Sequence, residues 1–151
     1  MEHGIYAEEL FLKGYNCAQA IAVAYCDLTG LEPAFAAKLS SSFGGGMGRL
    51  REVCGAVSGM FMVAGILYGY DDPTSDEDKK NHYALIQELA AAFKEKNGSI
   101  ICRELMDNPP SDPNPTPRTA EFYKERPCAY FVKTAGDVLD DYIAKHPIPH
   151  K

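Results

Sequence analysis

From Val53 to Tyr70 the chain runs for 18 residues without a charge, and no other stretch limits the fold as much. That length sits at the lower edge of what crosses a bilayer. Gly55, Ser58, Gly59, Gly65 and Gly69 make the run too weakly apolar for lipid, and membrane anchors do not flank it. The reading is therefore a Gly-rich helix buried in protein, without membrane insertion, and the rest of the chain must supply the elements that cover it.

Helix punctuation marks those elements. Ile5 to Lys13 has helical apolar spacing and stops before Gly14. Asn16 is a good N-cap for Cys17 to Leu28, with Gly30 as the left-handed stop, and Pro33 opens a helix to Phe43. Gly44-Gly45-Gly46-Met47-Gly48 breaks the pattern, which resumes as one long helix from Arg49 to Tyr70. Ser75 caps the next helix, which begins with Asp76, Glu77 and Asp78, carries Ile86, Leu89, Ala90 and Phe93 as its stripe, and ends at Asn97-Gly98. Ser99 caps a short helix with Cys102 and Leu105, and a last helix runs from about Pro127 to Lys145. Between these two, Asn108 to Arg118 is a proline-rich surface crossover too short to separate domains. Strand alternation, repeats and heptads are lacking. The expectation is one all-α domain, residues 1–151, built as a bundle of about six helices around the Gly-rich one.

With a formal net charge of -6, the chain is a poor match for a phosphate backbone, so no nucleic-acid partner is expected. Its acidic start lacks the basic and apolar regions of a secretory signal, which points to a reducing cytoplasm. There, five cysteines are an odd count for structural disulfides. Cys17, Cys26, Cys54, Cys102 and Cys128 contain no C-x-x-C pair, so any shared site must be assembled by the fold.

Three of the five stand at expected helix starts. Cys17 follows the Asn16 cap, Cys102 lies three residues after Ser99, and Cys128 follows Pro127. Free N–H groups and the helix dipole stabilise a thiolate there, the form that binds metal or attacks a disulfide. Cys54 is placed somewhat deeper in its helix, beside Gly55 and one turn before Gly59, where absent side chains leave room for sulfur or a cofactor. Lys13, Arg51, Arg103 and Arg126 lie near these cysteines in sequence, countered by Glu52 and Glu104. Cys26, nine residues after Cys17, falls about half a turn away on a continuous helix and reads as a spectator.

The hexapeptide Cys54-Gly55-Ala56-Val57-Ser58-Gly59 follows a Gly-rich turn, with Asn16-Cys17-Ala18 upstream and isolated Cys102 and Cys128 downstream. In this order the chain resembles, over nearly its whole length, the C_GCAxxG_C_C family of redox-active proteins. The resemblance implies a redox role for Cys17, Cys54, Cys102 and Cys128, with no established substrate. A related domain in split-Soret cytochromes accompanies haem with an iron–sulfur type centre. Only the non-haem part could carry over, because this chain lacks a haem-attachment motif.

Three chemistries are open. The four cysteines can ligate a [2Fe–2S] cluster or another metal centre for electron transfer with a redox partner still to be identified. They can carry thiol–disulfide exchange without a cofactor. Or they can hold structural zinc, or lie inert in a small-molecule binding module. Ligation is slightly favoured, since four ligands account for four cysteines. Gly55 and Gly59 are placed at the same site. The glycine run is better read as close packing or a sulfur-directed turn than as a phosphate loop, because no strand precedes it and no G-K-[ST] follows. His3, His82, His146 and His150 are expected in solvent. The Gly55/Gly59 and Gly65/Gly69 pairs offer a close-crossing face on which a homodimer could form.

Overall fold

The computed structural model describes residues 2–107 and 109–149; Asn108, within the crossover, and His150 lie outside them. The described residues are all-α. They form nine right-handed helices, α1 (His3–Leu12), α2 (Cys17–Ala24), α3 (Cys26–Thr29), α4 (Pro33–Ser40), α5 (Gly55–Tyr68), α6 (Asp76–Asn97), α7 (Cys102–Leu105), α8 (Ala120–Glu125) and α9 (Cys128–Lys145), with a single 3-10 turn at Ser41–Phe43. The count exceeds the expected six or so because the expected Cys17–Leu28 helix divides into α2 and α3 and α8 occupies ground read as loop. No described helix is long and apolar enough to cross a membrane.

Local chemistry sets most boundaries where the sequence placed them. Asn16 and Gln19 form a reciprocal capping box on α2, the Asn16 side chain accepting from the Gln19 N–H at 2.9 Å. Ser75 caps α6, and Gly98 closes it with φ 94°. Thr119, not anticipated, caps α8 by accepting from the Phe122 N–H at 3.1 Å. The expected helix from Cys17 to Leu28 breaks at Tyr25, whose φ of -97° and ψ of 11° leave the helical range.

The largest correction concerns the charge-free run. Its helix begins at Gly55 rather than Arg49, with Cys54 as N-cap. Ahead of it Gly45, Gly46, Met47, Gly48, Arg49 and Arg51 all have φ between 61° and 69°. A right-handed helix cannot pass through left-handed residues. The three that carry a Cβ cost about 1–2 kcal/mol each in this conformation. Backbone bonds offset part of that cost: the Arg49, Arg51 and Glu52 N–H groups donate to the Gly44, Gly45 and Gly46 carbonyls at 3.2, 3.3 and 2.9 Å.

The core lies where α2 meets α5 and α9, and Phe11, Ile21, Tyr25, Val57, Met60, Leu89, Phe93, Val132 and Leu139 are buried in it. Gly55 and Gly59 allow α2 of the same chain to cross closely. A Cβ on Gly59 would come within 2.9 Å of the Ala18 carbonyl oxygen, and one on Gly55 within 3.1 Å of the Ala18 nitrogen. That half of the proposed dimer face is thus covered from within.

His3 is also corrected, from solvent to a buried network. Its ring stacks on Tyr25 with centroids 4.1 Å apart and bonds Asp140 at 2.8 Å and Asp27 at 3.0 Å, while the Tyr25 hydroxyl donates to the Gly136 carbonyl and Asp140, each at 2.9 Å. Burial opposes protonation of His3, but the bonds to the two carboxylates outweigh it and raise its pKa; for Asp140, burial acts upward and the His3 bonds win downward. A raised histidine stabilises most below its unfolded value and loses that contribution as pH rises through the folded one. A depressed aspartate loses its contribution as pH falls through its own folded value. We expect His3→Gln to cost about 1–2 kcal/mol near pH 5, a charge-assisted value discounted for solvent at the carboxylates. The deficit should shrink as pH is raised past 7, and thermal unfolding of both proteins from pH 4 to 9 measures it.

Candidate functional site

Four helix starts meet at one place. Cys17, Cys102 and Cys128 are the first residues of α2, α7 and α9, and Cys54 is the N-cap of α5. Together they line a closed cavity of about 20 Å³ with Gly45, Gly46, Gly55, Arg51, Leu105, Met106 and Phe131. Gly55 is at the cavity as expected. Gly59 is not, since its face packs on α2.

A short antiparallel bridge joins two of the cysteines across the sequence. Val53 pairs with Ile101, the Cys54 N–H donates to the Ile100 carbonyl at 2.8 Å, and the Cys102 N–H to the Glu52 carbonyl at 2.6 Å. Ser99 steadies the turn by accepting from the Ile101 N–H at 3.0 Å and donating to Glu104 at 2.6 Å, so it acts beside the helix rather than as its cap. The Arg118 guanidinium donates to the Phe11 and Tyr15 carbonyls at 2.9 and 3.0 Å and so ties the crossover to the turn before Cys17.

The four sulfurs are not equivalent. Cys54 and Cys102 are buried, whereas Cys17 and Cys128 are partly exposed and also line a second, open cleft of about 320 Å³. The neighbouring Cys128 thiol and then burial raise Cys17 well above an ordinary thiol. The neighbouring Cys17 thiol, aided by the positive charges of Arg126, Arg51 and Arg118 against the effect of burial, lowers Cys128 to about 7. Burial pushes Cys54 up to about 12, with only partial opposition from the Ala56 and Val57 N–H groups. The Met106 sulfur stands 3.8 Å from that of Cys128 and 4.0 Å from that of Cys102, and Arg51 Nη1 donates to Cys102 at 3.6 Å. Cys26 lines neither space; its thiol donates to the Ala22 carbonyl at 3.6 Å.

As a donor set, four thiols on one cavity suit a cysteine-ligated centre in kind. Their spacing does not. Among the described residues no group of three or more His, Cys, Asp or Glu side chains is placed to hold a metal ion. The Cys102 and Cys128 sulfurs each approach that of Met106.

Residues 15–142 match the family model described as "Putative redox-active protein (C_GCAxxG_C_C)". The chain belongs to the C_GCAxxG_C_C family. No curated protein and no solved structure matches it. In this C_GCAxxG_C_C protein the hexapeptide from Cys54 to Gly59 forms the N-cap and first turn of α5, and the glycines before it form the left-handed turn against Cys102.

Sequence reasoning noted Arg51 and Arg126 but missed Arg49, Arg118 and Met106 at the site. No local signal marks them, because Arg118 is 101 residues from Cys17 in sequence and is brought back by the crossover. Arg103, noted near Cys102, turns away to pair with Glu52 at 3.1 Å.

Proposed function

We propose that this protein is a thiol-based redox protein in which Cys128 is the attacking thiolate and Cys17 the resolving thiol. The observation that carries the reading is that these two partly exposed thiols line one open cleft, with arginines around the one whose pKa is lowered. Only the partly exposed pair can be reached by an oxidised sulfur compound. Cys54, with its pKa of about 12, is too weakly ionised at neutral pH to act, and it forms the back wall with Cys102.

The Cys128 thiolate attacks one sulfur of a disulfide, and the other sulfur leaves as a thiolate that takes up a proton. Cys17 then loses its proton and attacks Cys128 in the mixed disulfide, releasing the second half of the substrate. Two electrons pass from the cysteine pair to the substrate, and the protein keeps a Cys17–Cys128 disulfide. A dithiol donor, the redox partner in this reading, returns it to the reduced state. Such a cycle belongs to a reducing compartment such as the cytoplasm.

A second reading rests on the four cysteines sharing one cavity beside Arg51, which is 5 % exposed and whose Nη2 has no hydrogen-bond partner among the described residues. Cys17, Cys54, Cys102 and Cys128 would then hold an iron–sulfur or other metal centre, which supplies one-electron transfer when the metal is iron and only structure when it is zinc. It requires the thiols to turn from Met106 to a common centre.

Brief oxidation with diamide followed by peptide mass mapping separates the two. The expected product is a Cys17–Cys128 disulfide with Cys54 and Cys102 reduced. Iron and sulfide in stoichiometric amounts in anaerobically purified protein, lost on mutating any one of the four, would overturn the exchange reading in favour of the centre.

A further inference from the structure

The cleft above Cys17 and Cys128 is basic in an acidic protein. The formal net charge is -6, yet Arg49, Arg51, Arg118 and Arg126 line this one space, and among the described residues no aspartate or glutamate does. Among the described residues Arg51, Arg118 and Arg126 form no ion pair, and Arg49 reaches a carboxylate only at 3.9 Å, on Asp112 at the rim. Arg118 is held over the Phe11 ring at 4.3 Å, and Arg126 lies 5.3 Å from the Phe122 ring centre. Stacking on rings positions a guanidinium without neutralising it.

Arg51 provides an independent sign of a ligand. It lines both the cleft and the inner cavity and is 5 % exposed. Its Nε donates to the Pro110 carbonyl at 2.8 Å and its Nη1 to Cys102 at 3.6 Å, while Nη2 is buried without a partner among the described residues. A buried guanidinium nitrogen left unpaired is costly, and the cost is relieved when an acceptor arrives. The cleft volume of about 320 Å³ suits a small molecule rather than a protein segment.

We infer that the substrate of this site is a small anionic disulfide, bearing a carboxylate or a similar anion that the Arg51, Arg118 and Arg126 guanidiniums hold while its S–S bond faces Cys128. The inference rests on the exchange reading and adds the chemical class of what is exchanged. The anion is unchanged in the reaction: the substrate S–S bond breaks, two thiols leave, and both electrons come from Cys17 and Cys128.

The test uses the full chain carrying Cys26→Ser, which removes the partly exposed thiol outside the site. Rates of Cys128 modification are compared for 5,5′-dithiobis(2-nitrobenzoate), which is anionic, and cystamine, which is cationic, each divided by its rate with a free thiol of similar pKa. The normalised ratio should favour the anionic reagent by roughly tenfold or more at low salt and fall steeply with ionic strength. Arg126→Gln, a partly exposed position, should lower the ratio by about threefold or more. The ratio is the proper readout because any change in Cys128 nucleophilicity affects both reagents alike. A ratio near one that is indifferent to salt and to Arg126→Gln overturns the inference. Binding of 4-nitrobenzoate, weakened by Arg126→Gln, with neither reagent yielding a Cys17–Cys128 disulfide, would support the anion site and sink the exchange chemistry.

Discussion

Gly46→Ala should lower stability by about 2–5 kcal/mol and abolish the site. Two costs add. At φ 68° an alanine pays the left-handed penalty of about 1–2 kcal/mol that glycine avoids. Its Cβ would also lie 2.7 Å from the Cys102 Cβ and 2.8 Å from the Arg51 Cα. Those neighbours cannot simply swing aside, because the bridge between Val53 and Ile101 and the Arg51 bond to Pro110 hold them. Denaturant unfolding with a matched Gly98→Ala control separates the two costs. Gly98 has φ 94° and nothing within 4 Å of an added Cβ, so it should show only the conformational part. Equal losses at the two positions would mean that Gly46 is not a close approach.

Cys128→Ser should remove disulfide formation entirely and slow the reaction of the partly exposed thiols with an added disulfide by tenfold or more at pH 7. The expectation follows from ionisation. With a pKa of about 7, Cys128 is about half thiolate at neutral pH and mostly thiolate above it, whereas Cys17 is raised. The wild-type rate should climb as pH rises towards 7 and then level off. In Cys128→Ser the residual rate should keep climbing past pH 8, because the remaining thiols ionise later. Cys17→Ser should behave differently: attack by Cys128 persists, and the mixed disulfide accumulates because nothing resolves it. Stopped-flow rates from pH 5 to 9, with mass analysis of the trapped species, distinguish the two variants. Identical profiles for them would refute the division of roles.

Much of the scaffold was legible residue by residue because it is local chemistry. Asn16 before Cys17, Ser75 before three acids, Gly30 and Gly98 after apolar stripes, and Pro127 before Cys128 each satisfy or end a helix through atoms a few residues away. The grouping of four cysteines apart from Cys26 was legible for the same reason, although the break at Tyr25 means the half-turn argument for Cys26 does not apply to one continuous helix. The start of α5 was misread. Periodicity carries a helix through Arg49 and Arg51, and only the packing of Gly46 against Cys102 and the crossover bonds to Arg49 and Arg51 show why the backbone turns left-handed.

What the sequence determined by itself was an all-α chain with thiols at helix starts, since caps, stops and apolar spacing act within a turn or two. What only the tertiary structure decided was which thiols meet and what surrounds them. Cys17 and Cys128 share the open cleft, Cys54 and Cys102 lie behind them on the inner cavity, and arginines from two distant segments converge above the pair. Charge and burial act through space, and a thiol becomes reactive through neighbours that its place in the chain does not specify.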